Sequence, residues 1–92
     1  MIRSFRSKLL RVFWRTGDGS RITPHLQDHV LRRLDALDAA ESPDELNIPG
    51  FNFHRLSGTR AGTFSIHVNG PWYITFRWDG TDAIDVDLEN YH

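Results

Sequence analysis

Apolar residues in the first half of the chain recur at the spacing of two amphipathic helices. The first helix is expected to begin after Ser7, which serves as its N-cap, and to reach about Arg15. The second is expected to begin with Thr23 as cap and Pro24 as first helical residue, and to run to about Ala40. Their apolar faces consist of Leu9, Leu10, Phe13 and Trp14 in the first helix and of Leu26, Val30, Leu34 and Leu37 in the second.

From Phe51 onward the apolar period changes to two, which is typical of β-strands with one buried face. Two turn sequences, Asn69-Gly70-Pro71 and Asp79-Gly80, separate the alternating runs and predict antiparallel hairpins. The apolar positions of these runs are Phe51, Phe53, Phe64, Ile66, Val68, Trp72, Ile74, Phe76, Trp78, Ile84, Val86 and Leu88.

Together these elements predict one α+β domain over residues 1–92. A short strand over residues 2–5 precedes the two helices, a capping box of Ser42 and Glu45 starts one further turn, and three or four antiparallel strands follow. The helices are expected to cover the apolar face of the sheet. The opposite face is a half-solvated surface on which a substrate can lie, and it presents Ser65, His67, Tyr73, Thr75 and Arg77.

Composition narrows the class of protein. The chain is 39% hydrophobic, which suits one small core, and its lack of cysteine excludes disulfides and cysteine metal sites. No apolar run approaches the roughly 20 residues of a membrane span. The N-terminal charges are not followed by the apolar core of a signal peptide. We therefore expect a cytoplasmic protein that has no membrane partner.

The charge is unevenly distributed, although the net charge is only -1. The segment before Asp18 contains basic residues and no acidic one, whereas the segment from Asp79 onward contains acidic residues and no Lys or Arg. A near-neutral chain is a poor general binder of nucleic acid. Any contact with RNA should therefore depend on a local basic patch.

Histidines are the candidates for proton transfer. His54 lies near the start of the predicted sheet, and the sequence ends with Asn90-Tyr91-His92 directly after a predicted strand. Histidine titrates near neutral pH, so His54 and His92 have the chemistry of a general acid and base. A surface histidine and a frayed tail are the simpler interpretations. Cleavage of RNA by attack of its 2′-OH needs such a pair together with a cation for the phosphate.

The loop Gly58-Thr59-Arg60-Ala61-Gly62 offers that cation in Arg60, although two glycines are equally typical of a hairpin connection. His25 and His29 have metal-ligand spacing on the second helix but no evident third ligand, so solvent-facing side chains are favoured and no metal is expected. Core packing is the favoured role of Trp14, Trp72 and Trp78. Asp85, Asp87 and Glu89 have the chemistry of paired carboxylates, but a solvated strand face or a surface that meets a basic partner is favoured.

Six stretches keep the order and spacing of a known toxin family, namely residues 2–5, 32–40, 56–62, 65–69, 72–78 and 91–92. Together they resemble the HigB branch of the RelE/ParE superfamily over essentially the whole chain. The resemblance implies a RelE-like fold and a metal-independent, cofactor-free endoribonuclease that cuts mRNA in the ribosomal A site and arrests growth. It also implies a HigA-like helix-turn-helix antitoxin, through which alone the toxin would reach operator DNA.

The resemblance carries functional roles onto particular residues. Catalytic positions of the family match His54, Tyr91 and His92, and a basic position matches Arg60. Further candidates for binding RNA or phosphate, at family positions or on the polar sheet face, are Ser57, His67, Tyr73, Arg77 and Asn90.

At three positions the chain departs from the family pattern. Ser57 stands where the family often has Lys, Tyr73 where it usually has Arg, and Asn90 where it often has an acid. Loss of two cations should weaken stabilisation of the transition state, since one well-placed donor contributes a factor of about 10²–10³ in other enzymes. We expect a slow toxin, or one that relies on Arg77 or Arg60 instead, with Tyr73 stacking on a base. The alternatives are a ParE-like inhibitor of DNA gyrase and an inert toxin that only binds its antitoxin.

Overall fold

A computed structural model describes residues 1–90, so that Tyr91 and His92 lie outside the described part. Two helices precede a four-stranded antiparallel sheet whose strands adjoin one another in chain order. The helices are α1 (Lys8–Thr16) and α2 (Pro24–Ala39). The strands are β1 (His54–Arg55), β2 (Thr63–Asn69), β3 (Trp72–Asp79) and β4 (Asp82–Asn90). The predicted α+β fold is confirmed.

Both helices begin at the predicted residues, but only the first uses its predicted cap. Ser7 is extended, and its hydroxyl oxygen accepts a hydrogen bond of 3.1 Å from the N–H of Leu10. The side chain of Thr23 makes no capping hydrogen bond, so that part of the prediction is wrong. Pro24 has no N–H, and the start of α2 therefore has one donor fewer to satisfy.

The segments that flank the helices are less regular than predicted. Residues 2–5 contact β4 through two isolated parallel bridges, Ile2 to Ala83 and Phe5 to Val86, and form no continuous strand. After the helices, a 3₁₀ turn at Pro43–Leu46 follows the predicted capping box. Its start is held by the Glu45 carboxylate and the backbone N–H of Ser42, which lie 3.0 Å apart.

The strand predicted to begin at Phe51 begins only at His54. Asn52 interrupts the extended backbone with a φ of 49°, a conformation that Asn tolerates better than most residues. Phe53 still packs on the sheet, with its ring stacked on that of Phe64 at 5.8 Å. The aromatic pattern therefore marks residues that cover the sheet, although Phe51 and Phe53 are not part of a strand.

The core lies between the helices and one face of the sheet. Phe76 stacks on Phe64 at 5.6 Å and meets Trp78 edge-on at 6.2 Å. Both helices supply the opposing layer. The side chains with no exposed surface in this core include Leu10, Val30, Leu34, Leu37, Ile66, Ile74, Phe76 and Val86.

A bulge in β4 moves one predicted core residue to the other face. The register of β3 and β4 shifts between Thr75 and Arg77, and Asp85 on β4 has a left-handed φ of 53°. Ile84 therefore pairs with Arg77 on the polar face, and Ala83 takes the buried position instead. The prediction of Ile84 as a core residue is wrong, because one extra residue inverts the alternation on its far side.

Candidate active site

Strand register places His54 on the polar face of the sheet, together with Ser65 and Thr75. His54 pairs with Ser65, Ser65 with Thr75, and Thr75 with Asp87, and paired residues share a face. These four side chains thus form one row across the sheet. The rows on either side hold Thr63 with Arg77, and His67 with Tyr73 and Glu89.

The middle of this polar face is covered by an ion pair and is not open to water as predicted. The two terminal nitrogens of Arg60 donate to the two carboxylate oxygens of Glu89 at 3.0 and 2.6 Å. The hydroxyl of Thr75 donates to the same carboxylate, and Thr75 is only 2% exposed. A bidentate pair with a third donor is a strong, geometrically specific contact.

This environment keeps Glu89 ionised. Hydrogen bonding from Arg60 is the main cause that lowers the pKa of Glu89, and the Thr75 hydroxyl and the charge of Arg6 lower it further against the opposing effect of burial. Glu89 is therefore the carboxylate partner of a cation within the chain. Its predicted place on a solvated strand face is wrong, because Arg60 lies across it.

A polar cleft of about 150 Å³ lies beside the ion pair. Arg77 reaches it from β3, next to Gly62, where an added Cβ would lie 3.6 Å from the guanidinium. Arg6 reaches it from the segment before α1. Within residues 1–90, the side chains of Arg6 and Arg77 make no hydrogen bond or salt bridge. The cleft is lined by Arg6, Thr59, Arg60, Thr63, Thr75, Arg77 and Asp85.

The local backbone determines which nitrogen of His54 is available for proton transfer. Nδ1 lies 2.8 Å from the carbonyl oxygen of Asn52, whose left-handed backbone precedes β1. A carbonyl only accepts hydrogen bonds, so Nδ1 must carry the proton, and neutral His54 presents an unprotonated Nε2. The side chain is exposed at the edge of the sheet. Nε2 is therefore the nitrogen of neutral His54 that can accept a proton.

His67 and Tyr73 lie together at the hairpin end of the polar face, one row from the middle of the sheet. Their rings are 4.9 Å apart, and Nε2 of His67 is 2.8 Å from the carbonyl oxygen of Gly70. The imidazole therefore supports the β2–β3 turn. A role for these two residues in binding RNA stays a prediction.

Ser57 and Asn90, two of the positions expected to depart from the family pattern, are both exposed. Ser57 precedes the 3₁₀ turn Gly58–Arg60, and its carbonyl accepts a 3.3 Å hydrogen bond from the N–H of Arg60. Asn90 ends β4. Tyr91 and His92 lie outside the described residues, so their catalytic roles stay predictions.

Sequence reasoning missed Arg6 and Glu89 as residues of this site. The excess of basic residues before Asp18 was a signal, but it did not distinguish Arg6 from its neighbours. The parallel bridges of residues 2–5 with β4 and the hydrogen bond from the Arg6 N–H to the Val86 carbonyl bring Arg6 to the cleft. For Glu89, alternation gave the correct face but not the partner, because Arg60 is 29 residues away.

Other parts of the described chain offer less for RNA chemistry. A larger groove of about 380 Å³ lies beside α1, but its lining contains no histidine. The described residues contain no group of three or more His, Asp or Glu side chains placed to hold a metal ion. His25 is exposed on α2, far along the chain from the polar sheet face.

A family model described as the RelE-like toxin of the type II toxin-antitoxin system HigB matches residues 3–92. The chain belongs to this HigB-like toxin family. It is similar to the Endoribonuclease HigB of Proteus vulgaris, with 37% identity over 92 residues and 100% of both chains covered. It is also similar to Toxin HigB-1 of Vibrio cholerae serotype O1, with 32% identity over 91 residues covering 97% of this chain and 96% of the relative.

Membership of the HigB-like family confirms the resemblance inferred from the sequence. A type II system pairs its toxin with an antitoxin protein, so this chain has an antitoxin partner. No helix within residues 1–90 is both long and apolar enough to cross a membrane.

Proposed function

We propose that this HigB-like toxin is a cytoplasmic endoribonuclease that cuts mRNA in the ribosomal A site. The observation that carries the proposal is the polar cleft, where the unpaired guanidinium of Arg77 lies on the same sheet face as His54. The name of the Proteus vulgaris relative, an endoribonuclease, supports it over the full length of both chains.

His54 is the proposed general base. Its Nδ1–H is held by the Asn52 carbonyl, so Nε2 can take the proton from the 2′-OH that attacks the adjacent phosphorus. The P–O5′ bond then breaks, and the 5′ oxygen leaves with a proton. We propose that His92 donates this proton, aided by Tyr91. Arg77 lies beside the cleft to neutralise charge that develops on the phosphoryl oxygens.

This chemistry uses the protein's own groups and needs no metal or cofactor. The histidines move the protons, and the guanidinium provides the charge that a metal ion provides in other nucleases. We propose contacts with the RNA for Ser57, His67, Tyr73 and Asn90 as well, and stacking on a base for Tyr73.

The proposed antitoxin is a HigA-like helix-turn-helix protein. The near-neutral charge of the toxin makes direct binding to duplex DNA weak, so operator DNA should be bound only by the toxin–antitoxin complex. A gel-shift assay on the operator checks this: the complex should shift the DNA and the toxin alone should not.

The decisive experiment is induction of the toxin in cells without antitoxin, followed by mapping of new 5′ ends on one message with and without its start codon. We expect cuts only in the translated form. His54→Gln should abolish them, whereas His25→Gln, which changes an exposed histidine on α2, should leave them unchanged.

Each other outcome contradicts a named part of the proposal. Cuts in both forms of the message would exclude dependence on the ribosome. Intact messages with arrested growth would favour inhibition of DNA gyrase, and intact messages with normal growth would indicate an inert toxin. Full cleavage by His54→Gln would show that the base lies elsewhere.

A further inference from the structure

We propose that Arg6 is a phosphate-binding residue of the cleft and acts with Arg77 as a pair of cations on one RNA phosphate. The inference rests on the proposed ribonuclease function, and it extends the site to a segment outside the sheet. Arg6 lines the same 150 Å³ cleft as Arg77, and neither side chain has a hydrogen-bonding partner within residues 1–90.

The backbone of Arg6 is fixed on both sides. Its N–H donates to the carbonyl of Val86 at 2.8 Å, and the N–H of Val86 donates to the carbonyl of Ser4 at 3.1 Å. Ser7, the next residue, caps α1. An anchored backbone at the rim of a cleft leaves only the side chain to be ordered on binding, which lowers the entropic cost of holding a phosphate.

Arg60 is less suited to this role than the resemblance implies. Both terminal nitrogens of its guanidinium already donate to Glu89, so a phosphate would have to compete with a carboxylate that Thr75 also holds. The Arg60–Glu89 pair has no net charge, and Arg60 forms part of the cleft lining. Arg6 and Arg77 are the cations of this cleft whose donors are not engaged by residues 1–90.

The remaining charge of the cleft suits one phosphodiester. After the Arg60–Glu89 pair is set aside, Arg6 and Arg77 contribute two positive charges and Asp85 one negative charge. The hydroxyls of Thr59 and Thr63 add neutral hydrogen-bonding groups to the lining. Two guanidinium groups that face one phosphate can donate charge-assisted hydrogen bonds to it, which are stronger than hydrogen bonds between neutral groups.

Arg6 also accounts for how the chain can lack two cations of its family pattern. Ser57 and Tyr73 are neutral, but Arg6 supplies a positive charge to the same face from the other side of β4. The positive charge of Arg6 also acts on the middle of that face, where it contributes to lowering the pKa of Glu89.

The test is the affinity of the purified toxin for a short single-stranded RNA with 2′-O-methyl groups, which can bind but cannot be cut. We compare wild type, Arg6→Gln and Arg6→Lys over a range of salt concentrations. Arg3→Gln is the matched control, since Arg3 is three residues away on the same segment but is paired with Asp79 and Asp82. Circular dichroism and thermal unfolding verify that all variants are folded.

We expect Arg6→Gln to weaken binding roughly tenfold or more, because a hydrogen bond to a charged group is lost. The slope of log affinity against log salt should fall by about 0.7, the value for one phosphate contact on a single strand. Arg6→Lys should keep the slope, and Arg3→Gln should match wild type. Equal affinities or equal slopes for Arg6→Gln and Arg3→Gln, or no binding by wild type, would overturn the proposal.

Failure of the proposed function would look different. A toxin that binds the RNA through Arg6 but cuts no translated message would retain this site and lose the nuclease assignment. A toxin that cuts translated messages and binds equally well without Arg6 would retain the nuclease and lose this site.

Discussion

The two faces of strand β3 are stabilised by different interactions. On the helix side, Ile74 and Phe76 have no exposed surface and belong to the apolar core. On the polar side, Thr75 is equally buried, but it is held by a hydrogen bond to the Glu89 carboxylate. Arg77, two residues along, is exposed and unpaired within residues 1–90.

The difference shows how a small domain can combine stability with a charged site. Apolar burial on the helix side stabilises the fold without directional requirements. The domain can therefore carry an unpaired cation on the polar face. The middle of the polar face is instead held by compensating charges, as in the Arg60–Glu89 pair. We therefore expect substitutions on the helix side to change stability and those at the cleft to change function.

The largest effect is expected from Phe76→Ala. Phe76 is fully buried between Phe64 and Trp78, and truncation of a buried Phe costs about 3–5 kcal/mol. Unfolding in urea, followed by far-UV circular dichroism, measures the loss. Arg77→Ala, the next residue on the other face, is the control and should unfold within about 0.5 kcal/mol of wild type. Equal losses for both variants would contradict the division between the faces.

Arg77→Gln should reduce cleavage of translated mRNA by a factor of about 10², with little change in the free energy of unfolding. Its guanidinium lines the cleft and has no structural partner within residues 1–90. Primer extension on a translated message measures the rate. Arg15→Gln, which changes an exposed basic residue at the end of α1, should cut as wild type does. If both variants cut at the wild-type rate, Arg77 does not contact the scissile phosphate.

Glu89→Gln should lower the free energy of unfolding by about 1 kcal/mol at neutral pH, since the pair is partly screened by water. The pKa of Glu89 is lowered in the folded state, so its contribution is complete above the unfolded value of about 4.3. The contribution is lost as the pH falls through the lower folded pKa. The difference from wild type should therefore be constant from pH 7 to about 5 and shrink below pH 4.

Urea unfolding across this pH range measures the Glu89 effect. Glu41→Gln is the control, because Glu41 is exposed and its side chain has no partner within residues 1–90. A difference between wild type and Glu89→Gln that persists unchanged at the lowest pH would show that the carboxylate charge is not what holds Arg60.

Local patterns predicted most of the fold. Periodicity identified both helices, and alternation with turn residues identified the hairpins and the polar face of β3. What the patterns missed depends on contacts between distant residues. The carboxylate that holds Arg60 is 29 residues along the chain, and Arg6 reaches the cleft through a bond to Val86. No local pattern specifies such pairings.

The bulge at Asp85 is the clearest failure of the pattern. Residues 84–88 alternate like a regular strand, so an extra residue is not visible in their hydrophobicity. Asp85 has a left-handed φ of 53°, a conformation that Asp tolerates better than most residues. Most Asp residues do not adopt it, so the presence of Asp does not predict a bulge. The bulge has a functional consequence, because it brings a carboxylate into the cleft beside Arg6 and Arg77.

The smallest predicted effect has the opposite sign to the others. Asp85→Asn keeps the size of the side chain and suits the same φ, so the bulge and its bond from the Asp85 N–H to Ser4 should persist. Removing a negative charge that opposes the phosphate should strengthen RNA binding roughly two- to fivefold at low salt. The gain should disappear near 1 M salt, where charges are screened within about 3 Å.

Binding of the 2′-O-methyl RNA measures this gain, with Asp35→Asn as the control for loss of one negative charge, since Asp35 is exposed on α2. The same gain in both variants would attribute it to net charge alone. Weaker binding by Asp85→Asn would show that the carboxylate orients one of the two arginines. The bulge would then place Asp85 where it orients the phosphate-binding cations. Asp85 would be needed for binding even though its negative charge repels the phosphate.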